Sequence, residues 1–379
     1  MGRFNFFYFL LYVTWSSVYT LANLYMDEVI GLNLGQIGLI AAVLPLISLF
    51  FQPLWGAFSD FSGKRKTVLQ GLLVMNAVIA CIVTAVTKDL LFVGLYFVYQ
   101  VFLCGQGPLI DSMAIQAVSE DSKRSYGAIR VWGSIGYALG AFFVALIANQ
   151  FGLKWIFYLA AIGYFLSLSV TFKLQNRQVK VQNSVFKSDL KLLMKQKNYL
   201  FILLYSFFLV GSFFGSDQYL GLYIRSTGVE VSKLGLLTFL SVGVEIPFIF
   251  YSKRLVSNFG AVKLLIFMNL LAILRMAILG IGGTLWVFAV AGVLRGAIVG
   301  IFIPLFVELI VEITPKAVVT SAVAIYSATS SGIANFIFTL IGGQVADRFG
   351  FEGLFFSYGF VMLVPLLLAI RISKMKRDT

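Results

Sequence analysis

Apolar runs of about twenty residues or more, broken by short clusters of charge or turn residues, make up nearly the whole chain, and they leave little choice of solvent. About twenty consecutive apolar residues cross the hydrocarbon of a bilayer as a helix, and a backbone in lipid must satisfy its own hydrogen bonds. Such runs lie near 4–26, 36–58, 67–87, 90–117, 126–149, 154–172, 199–224, 233–252, 261–281, 284–311, 317–342 and 351–371. Of the 379 residues only 12% are charged, about half the share found in soluble domains. The expected fold is all-α: twelve transmembrane helices and no large soluble domain. The first run is too long for a signal-peptide core and has no small-x-small cleavage site, so it reads as an uncleaved span.

The net charge of +13 would suggest nucleic acid in a soluble protein, but here the basic residues sit between apolar runs. They alternate from loop to loop. Arg3, Lys64 to Lys66, Lys123, Arg124, the 173–197 segment, Lys253, Arg254, Lys263, Lys316 and the C-terminal cluster put 21 on one side, against five on the other: Lys88, Lys154, Arg225, Lys233 and Arg348. By the positive-inside rule both termini are then cytoplasmic, in a plasma membrane that is the inner membrane of a bacterium. With no His, and with Cys81 and Cys104 each alone in an apolar stretch, no ligand set for zinc, haem or an iron–sulfur cluster exists. No cofactor, metal or nucleic acid is expected, and the chain reads as a monomer in lipid.

The longest hydrophilic segment, 173–198, separates six helices (1–172) from six (199–379). Phe186, Leu190, Leu193 and Met194 fall at helical spacing, so it is either a basic amphipathic helix on the inner leaflet or a solvated linker whose charges fix topology. The halves resemble each other at a shift of 197–198 residues: Gln36-Ile-Gly38 faces Leu234-Gly235, Gly63-Lys-Arg-Lys66 faces Gly260-Ala-Val-Lys263, and Phe151-Gly152 faces Phe349-Gly350. A duplicated six-helix unit with a midplane site is the architecture of rocking transporters.

Six charges fall inside spans: Arg130, Arg275, Arg295, Asp111, Asp217 and Glu245. Each costs roughly 2.5–3.5 kcal/mol at the centre of a helix in lipid, so they must face one another or water, and they mark function by default. Arg130, near the start of its helix, could also snorkel to the headgroups. Asp217 could be a purely structural partner of Arg295. Glu245 lies mid-helix with no charge within seven residues and is the first candidate for a proton-binding carboxylate. Burial disfavours a charged carboxyl and a nearby guanidinium favours it, so movement of Arg275 or Arg295 would load or release the proton.

Trp15, Tyr19 and Asn23 repeat every four residues on the first helix; Gln106 lies with Asp111 on the fourth; Tyr137 follows Arg130 on the fifth by two turns. Sugars are bound by carboxylate and Arg hydrogen bonds with an aromatic ring against the C–H face, although aromatics in this chain also serve packing and the interfacial belt. Gly136-x-x-x-Gly140, Gly211-x-x-x-Gly215 and Gly292-x-x-x-Gly296-x-x-x-Gly300 permit close helix crossings.

One loop is specific. Gly56-Ala-Phe-Ser-Asp60-Phe-Ser-Gly63-Lys-Arg65-Lys66 resembles the signature between helices two and three of the major facilitator superfamily. There Gly56 would allow close contact, and Asp60, Gly63 and Arg65 would form a latch, a gating rather than a substrate role. Within that superfamily the chain is similar to the lactose permease group of oligosaccharide:proton symporters and to phenylpropionate-type permeases. Tyr126-Gly-Ala-Ile-Arg130-Val-Trp-Gly133-Ser-Ile-Gly136-Tyr137 resembles the fifth helix of that group, which implies a sugar-binding Arg130 and a stacking Tyr137. Asp111 stands for its sugar-binding acid, one residue offset. Ser216-Asp217-Gln218 resembles its helix seven, whose acid pairs with a basic residue on helix ten, here Arg295. The His and Glu that follow on helix ten are replaced by Ile298 and Ile301, and the helix-eleven Lys is absent where Ser330, Ser331 and Asn335 stand.

These features together imply a carrier, not an enzyme: proton-coupled symport of a small polar solute, most naturally a sugar or oligosaccharide, by alternating access. Asp111, Arg130, Tyr137, Tyr19, Asn23 and Gln106 would bind substrate, and Glu245, Asp217, Arg275 and Arg295 would form the proton and charge network. Alternatives are uptake of an aromatic acid or nucleoside, a drug exporter, or a non-transporting sensor or lipid flippase on the same fold.

Overall fold

The structure, a computed structural model, describes residues 2–86, 88–119, 126–174, 193, 195–314 and 318–375. Most of the proposed amphipathic stretch 173–198 and the pair Lys123, Arg124 lie outside the described residues. The described residues form helices joined by short turns. We number the helices α1 (Gly2–Tyr19, continued by Ala22–Tyr25 and a π-helical turn Met26–Ile30), α2 (Leu34–Ser62), α3 (Arg65–Thr84), α4 (Asp89–Leu103 and Gln106–Ser119), α5 (Tyr126–Phe151) and α6 (Trp155–Thr171). After the linker come α7 (Lys197–Ser226), α8 (Val231–Phe259), α9 (Ala261–Gly280) and α10 (Leu285–Ile313). Helix α11 runs from Val319–Tyr326 through a π-helical stretch, Ser327–Ala334, into the helix Asn335–Val361, and the non-helical backbone of Gly350 divides that helix into the end of α11 and the start of α12, which finishes as Leu363–Met375. The twelve expected helices are therefore present. Among the described residues nine elements are long and apolar enough to span a membrane, Ser321–Ala369 counting as one although it holds most of two helices.

Glycine decides where the helices end. Gly31 turns left-handed (φ 81) after α1, and the amide of Leu32 reaches back to the Met26 carbonyl, which satisfies a carbonyl that the helix end would leave open. A positive φ recurs at the repeat distance: Gly31 with Gly228 (φ 82), Gly63 (φ 64) with Gly260 (φ 81), and Gly152 (φ 98) with Gly350 (φ 72). Beyond φ the turns differ, since ψ is 26° at Gly31, 145° at Gly260 and 179° at Gly350. At the end of α6 the orphan carbonyls are met by cations instead: Lys66 Nζ donates to Phe172 and Leu174 at 3.0 and 2.9 Å, and Arg3 Nη1 donates to Lys173 at 3.0 Å.

The chain gathers into two compact units: Met1–Asn33, Leu46–Gln182 and Gly228–Val242 form the first, and Leu34–Pro45, Asn183–Thr227 and Gly243–Thr379 the second. In the first, α1 packs chiefly on α5 and α6, and α3 on α6; in the second, α7 packs on α11, and α9 on α12 and α10. Small residues let these helices meet. A Cβ on Gly136 would overlap the Phe9 carbonyl oxygen and lie 3.0 Å from Phe9 Cα, and one on Gly140 would lie 2.8 Å from Val13 Cα. In the second unit Gly211 and Gly215 meet Ala334 and Phe338 in the same way, and Gly300 meets the carbonyl oxygen of Glu245 and the side chain of Phe248. Gly136→Leu should accordingly destabilise the first unit by about 1–3 kcal/mol, the usual cost of overpacking. Thermal melts in detergent should show this against Gly94→Ala, whose added methyl meets no atom within 4 Å.

Candidate functional site

In the first unit the polar groups of α1, α4 and α5 converge. The Tyr8 hydroxyl donates to Asp111 Oδ1 at 2.6 Å, and the Tyr126 hydroxyl lies close enough to interact with Tyr8, Asp111 and Arg130. The Arg130 guanidinium rests on the ring of Tyr12, 4.6 Å from its centroid. Among the described residues no ion pair joins Arg130 to Asp111. Each of the two charges is engaged by a phenol ring or hydroxyl of α1. One turn further along, Tyr12 packs on Trp15 (centroids 4.5 Å apart), whose indole N–H donates to Gln106 Oε1 at 3.0 Å. Gln106 opens the second half of α4, after a break at Cys104–Gly105 where a Cβ would lie 2.7 Å from the Trp55 ring.

The remaining first-half candidates sit elsewhere on the same helices. Tyr19 is 46% exposed and its hydroxyl lies among those of Tyr96, Tyr99 and Tyr137. The ring under Arg130 is thus that of Tyr12. Asn23 belongs to the short helix Ala22–Tyr25, beyond the interruption of α1, so the four-residue row of Trp15, Tyr19 and Asn23 does not continue as one straight stripe. Three contact residues were not singled out from the sequence: Tyr8, Tyr12 and Tyr126. The first two extend the row from Trp15 at spacings of three and four. With 38 Phe and 17 Tyr in the chain, however, such spacing does not by itself separate a binding ring from a packing one.

In the second unit four charges from four helices form one network. Asp217 on α7 accepts from Arg275 Nη2 of α9 and from Arg295 Nε of α10, both at 2.6 Å. Arg275 is fully buried, donates through Nε to the Ala291 carbonyl at 3.1 Å, and lies 4.8 Å from the centroid of Phe213. Arg295 also comes to 4.0 Å from Glu245 on α8. Two cations and two anions balance, as burial in lipid requires. The two acids are held differently: Asp217 is clamped by two short bonds, whereas Glu245 meets Arg295 at the limit of an ion pair. Ile298 and Ile301 on α10 are buried apolar side chains, and on α11 the Ser330 hydroxyl is paired with that of Ser206 at 2.6 Å.

The loop between α2 and α3 is tied to the first unit. Asp60 Oδ1 accepts from Arg65 Nε at 3.0 Å and Nη2 at 2.5 Å, while Arg65 Nη1 donates to Ser112 Oγ at 2.9 Å. Ser112 adjoins Asp111 in α4, so the loop's ion pair is anchored one residue from the candidate substrate acid. Gly63 supplies the left-handed turn. At Gly56 an added Cβ would meet no atom within 4 Å among the described residues, so the close approach expected there is not made in this conformation.

Comparison with known proteins agrees with this construction. Residues 2–357 match the MFS_1 like family. Along 374 residues, 99% of this chain and 95% of the relative, the sequence is 27% identical to the maltose permease of Geobacillus stearothermophilus. It is 31% identical to the lactose permease of Citrobacter freundii over 137 residues, 34% of this chain and 33% of that one. The fold superposes on the crystal structure of the nucleoside transporter NupG with a TM-score of 0.87 at 17% identity, covering 98% of both chains. With charged residues from several helices brought together inside each unit and a family match over almost its whole length, the chain belongs to the MFS_1 like family and is a multi-pass secondary transporter of the major facilitator superfamily.

Proposed function

We propose that the protein imports a sugar or small oligosaccharide together with a proton, by alternating access of its two six-helix halves, 1–172 and 199–379, about the 173–198 linker. The observation that carries the sugar reading is the Arg130–Tyr12 stack beside the tyrosine-held Asp111. It offers a flat ring, a planar donor and a carboxylate acceptor within one cluster, the groups that recognise a pyranose. Maltose and lactose permeases among the relatives support the same class. Glu245 is the proton carrier and Asp217, Arg275 and Arg295 its charge partners. Asp60 and Arg65 latch one state, with Gly56 and Gly63 shaping the loop. The charge bias places both termini in the cytoplasm of a bacterial cell, and the monomer is the working unit.

A second reading has its own observation. Arg130, in no ion pair among the described residues and lying on an aromatic ring, equally suits an aromatic acid, and the nucleoside transporter shares the fold. Uptake into proteoliposomes under an inward proton gradient, run over sugars, aromatic acids and nucleosides, decides between them. Sugar accumulation is expected, and uptake of none would remove the symport proposal. Arg130→Lys should lower sugar binding at least tenfold although the charge is kept, because a planar fork that stacks on Tyr12 becomes a point charge. Tyr12→Phe, which keeps the ring, should bind nearly as the parent does, whereas Tyr12→Leu should behave like Arg130→Lys. Equilibrium binding measured by calorimetry checks all three.

A further inference from the structure

A cavity of about 480 Å³ follows the second half of α8, lined by Pro247, Phe248, Tyr251, Arg254, Leu255 and Asn258. Its deep end is Pro247, which lies inside the helix and has no N–H to donate. Pro247, Tyr251, Arg254 and Asn258 follow one another at spacings of four, three and four, so they form a stripe on one face. At 3.6 residues per turn that face is opposite Glu245, which sets the cavity apart from the charge network.

The dimensions and the chemistry point the same way. From Pro247 to Asn258 the helix rises about 16 Å, close to one leaflet of a hydrocarbon core about 30 Å thick. The deep end, two residues past Glu245, is Pro247 and Phe248. The shallow end, next to the end of α8 at Phe259, carries Arg254 and Asn258. Tyr251 between them is 58% exposed. Arg254 is the one charge in the lining, and it enters no ion pair among the described residues. A cation at the mouth of an apolar trough one leaflet long complements a molecule with a negative head and a hydrocarbon tail. Inorganic phosphate would leave the apolar wall unused, and a zwitterionic head would bring no net charge to Arg254. We propose that this trough binds an anionic phospholipid of the leaflet on the basic side of the membrane, its phosphate on Arg254 and Asn258 and one acyl chain along Tyr251, Leu255 and Phe248.

The test uses the full-length protein in phosphatidylcholine vesicles containing a fraction of phosphatidylglycerol. Tyr251→Trp places an indole in the trough, and lipids brominated on the acyl chain quench it on contact. After subtraction of the emission from the native tryptophans, brominated phosphatidylglycerol should quench at about fivefold lower mole fraction than brominated phosphatidylcholine, the ratio one basic residue contributes near an anionic surface. Arg254→Gln in the same background should abolish that difference, and Lys154→Gln should leave it. Equal quenching by the two lipids, or a preference that survives Arg254→Gln, overturns the proposal. If Arg254→Gln does not yield a monodisperse helical protein, native mass spectrometry of the wild-type chain and Asn258→Leu with equimolar lipids decides. Loss of one retained phosphatidylglycerol in the variant supports the site, and identical retention by both overturns it. None of these readouts depends on the transported solute.

Discussion

Glu245→Gln should abolish accumulation of the substrate against its gradient while exchange of internal for external substrate continues near the parental rate. The reason lies in how the two acids of the second unit are held. Asp217 is committed to Arg275 and Arg295 at 2.6 Å each. Glu245 approaches Arg295 at 4.0 Å, and its side chain is 21% exposed. A proton on Asp217 would strand a buried guanidinium, whereas a proton on Glu245 leaves the clamp of Asp217 on Arg275 and Arg295 intact. Gln keeps the shape of the protonated acid, so the carrier should cycle loaded with substrate yet gain nothing from the proton gradient. For one proton the loss is about 2.3 kcal/mol per 100 mV of driving force, close to a fiftyfold change in the accumulation ratio. Counterflow and gradient-driven uptake measured on the same proteoliposomes separate the two outcomes, and unchanged accumulation would falsify the assigned role.

The second large effect is on stability. Asp217→Asn removes the acid that neutralises Arg275, which is fully buried, and breaking a buried pair from one side costs about 3–5 kcal/mol because the remaining charge is uncompensated. The variant should melt far below the parent or fail to accumulate in membranes. Adding Arg275→Gln should recover a large part of the loss, since the stranded charge is then gone. Adding Arg295→Gln should recover less, because the Arg295 side chain is 25% exposed and can be hydrated in the single variant. A double-mutant cycle on melting temperatures in detergent reads both couplings. An Asp217→Asn protein as stable as the parent would show that the network is not structural.

Together these variants assign separate work to neighbouring charges. Glu245→Gln should leave stability nearly unchanged and alter coupling; Asp217→Asn should do the reverse first. Arg130→Lys, in the other unit, should affect recognition and neither of these. Such independence follows from the different contacts of the three residues: Asp217 on two guanidinium groups, Glu245 at 4.0 Å from Arg295, and Arg130 on the ring of Tyr12.

Much of this was legible in the chain before any coordinates. Charge is so costly in lipid that six intramembrane ionic residues stand out against 60% hydrophobic composition, and the match of the two halves at a shift of 197–198 residues marks the duplication. Which phenol meets which carboxylate was not legible. Tyr8, Tyr12 and Tyr126 have the residue types and spacings of ordinary packing aromatics, and only the crossing of α1 with α4 and α5 gives Tyr8 its Asp111 and Tyr12 its Arg130. The same holds for Gly56, where the motif suggested a close contact that the packing does not make.

The amino-acid sequence by itself determined twelve helices, a repeat that matches Gly63 with Gly260 and Gly152 with Gly350, and the set of charges that had to find partners, because hydropathy and the expense of burying an ion are properties of residues and their order. The tertiary structure decided the other partners: that Arg275 joins the pair of Asp217 and Arg295 and that Glu245 comes to 4.0 Å of Arg295, that Arg130 lies on Tyr12, and that Arg65 reaches Ser112 beside Asp111. Those contacts join positions tens of residues apart in the chain, and a hydrogen bond or ion pair is settled over a few ångströms by how helices cross, which no one-dimensional pattern records.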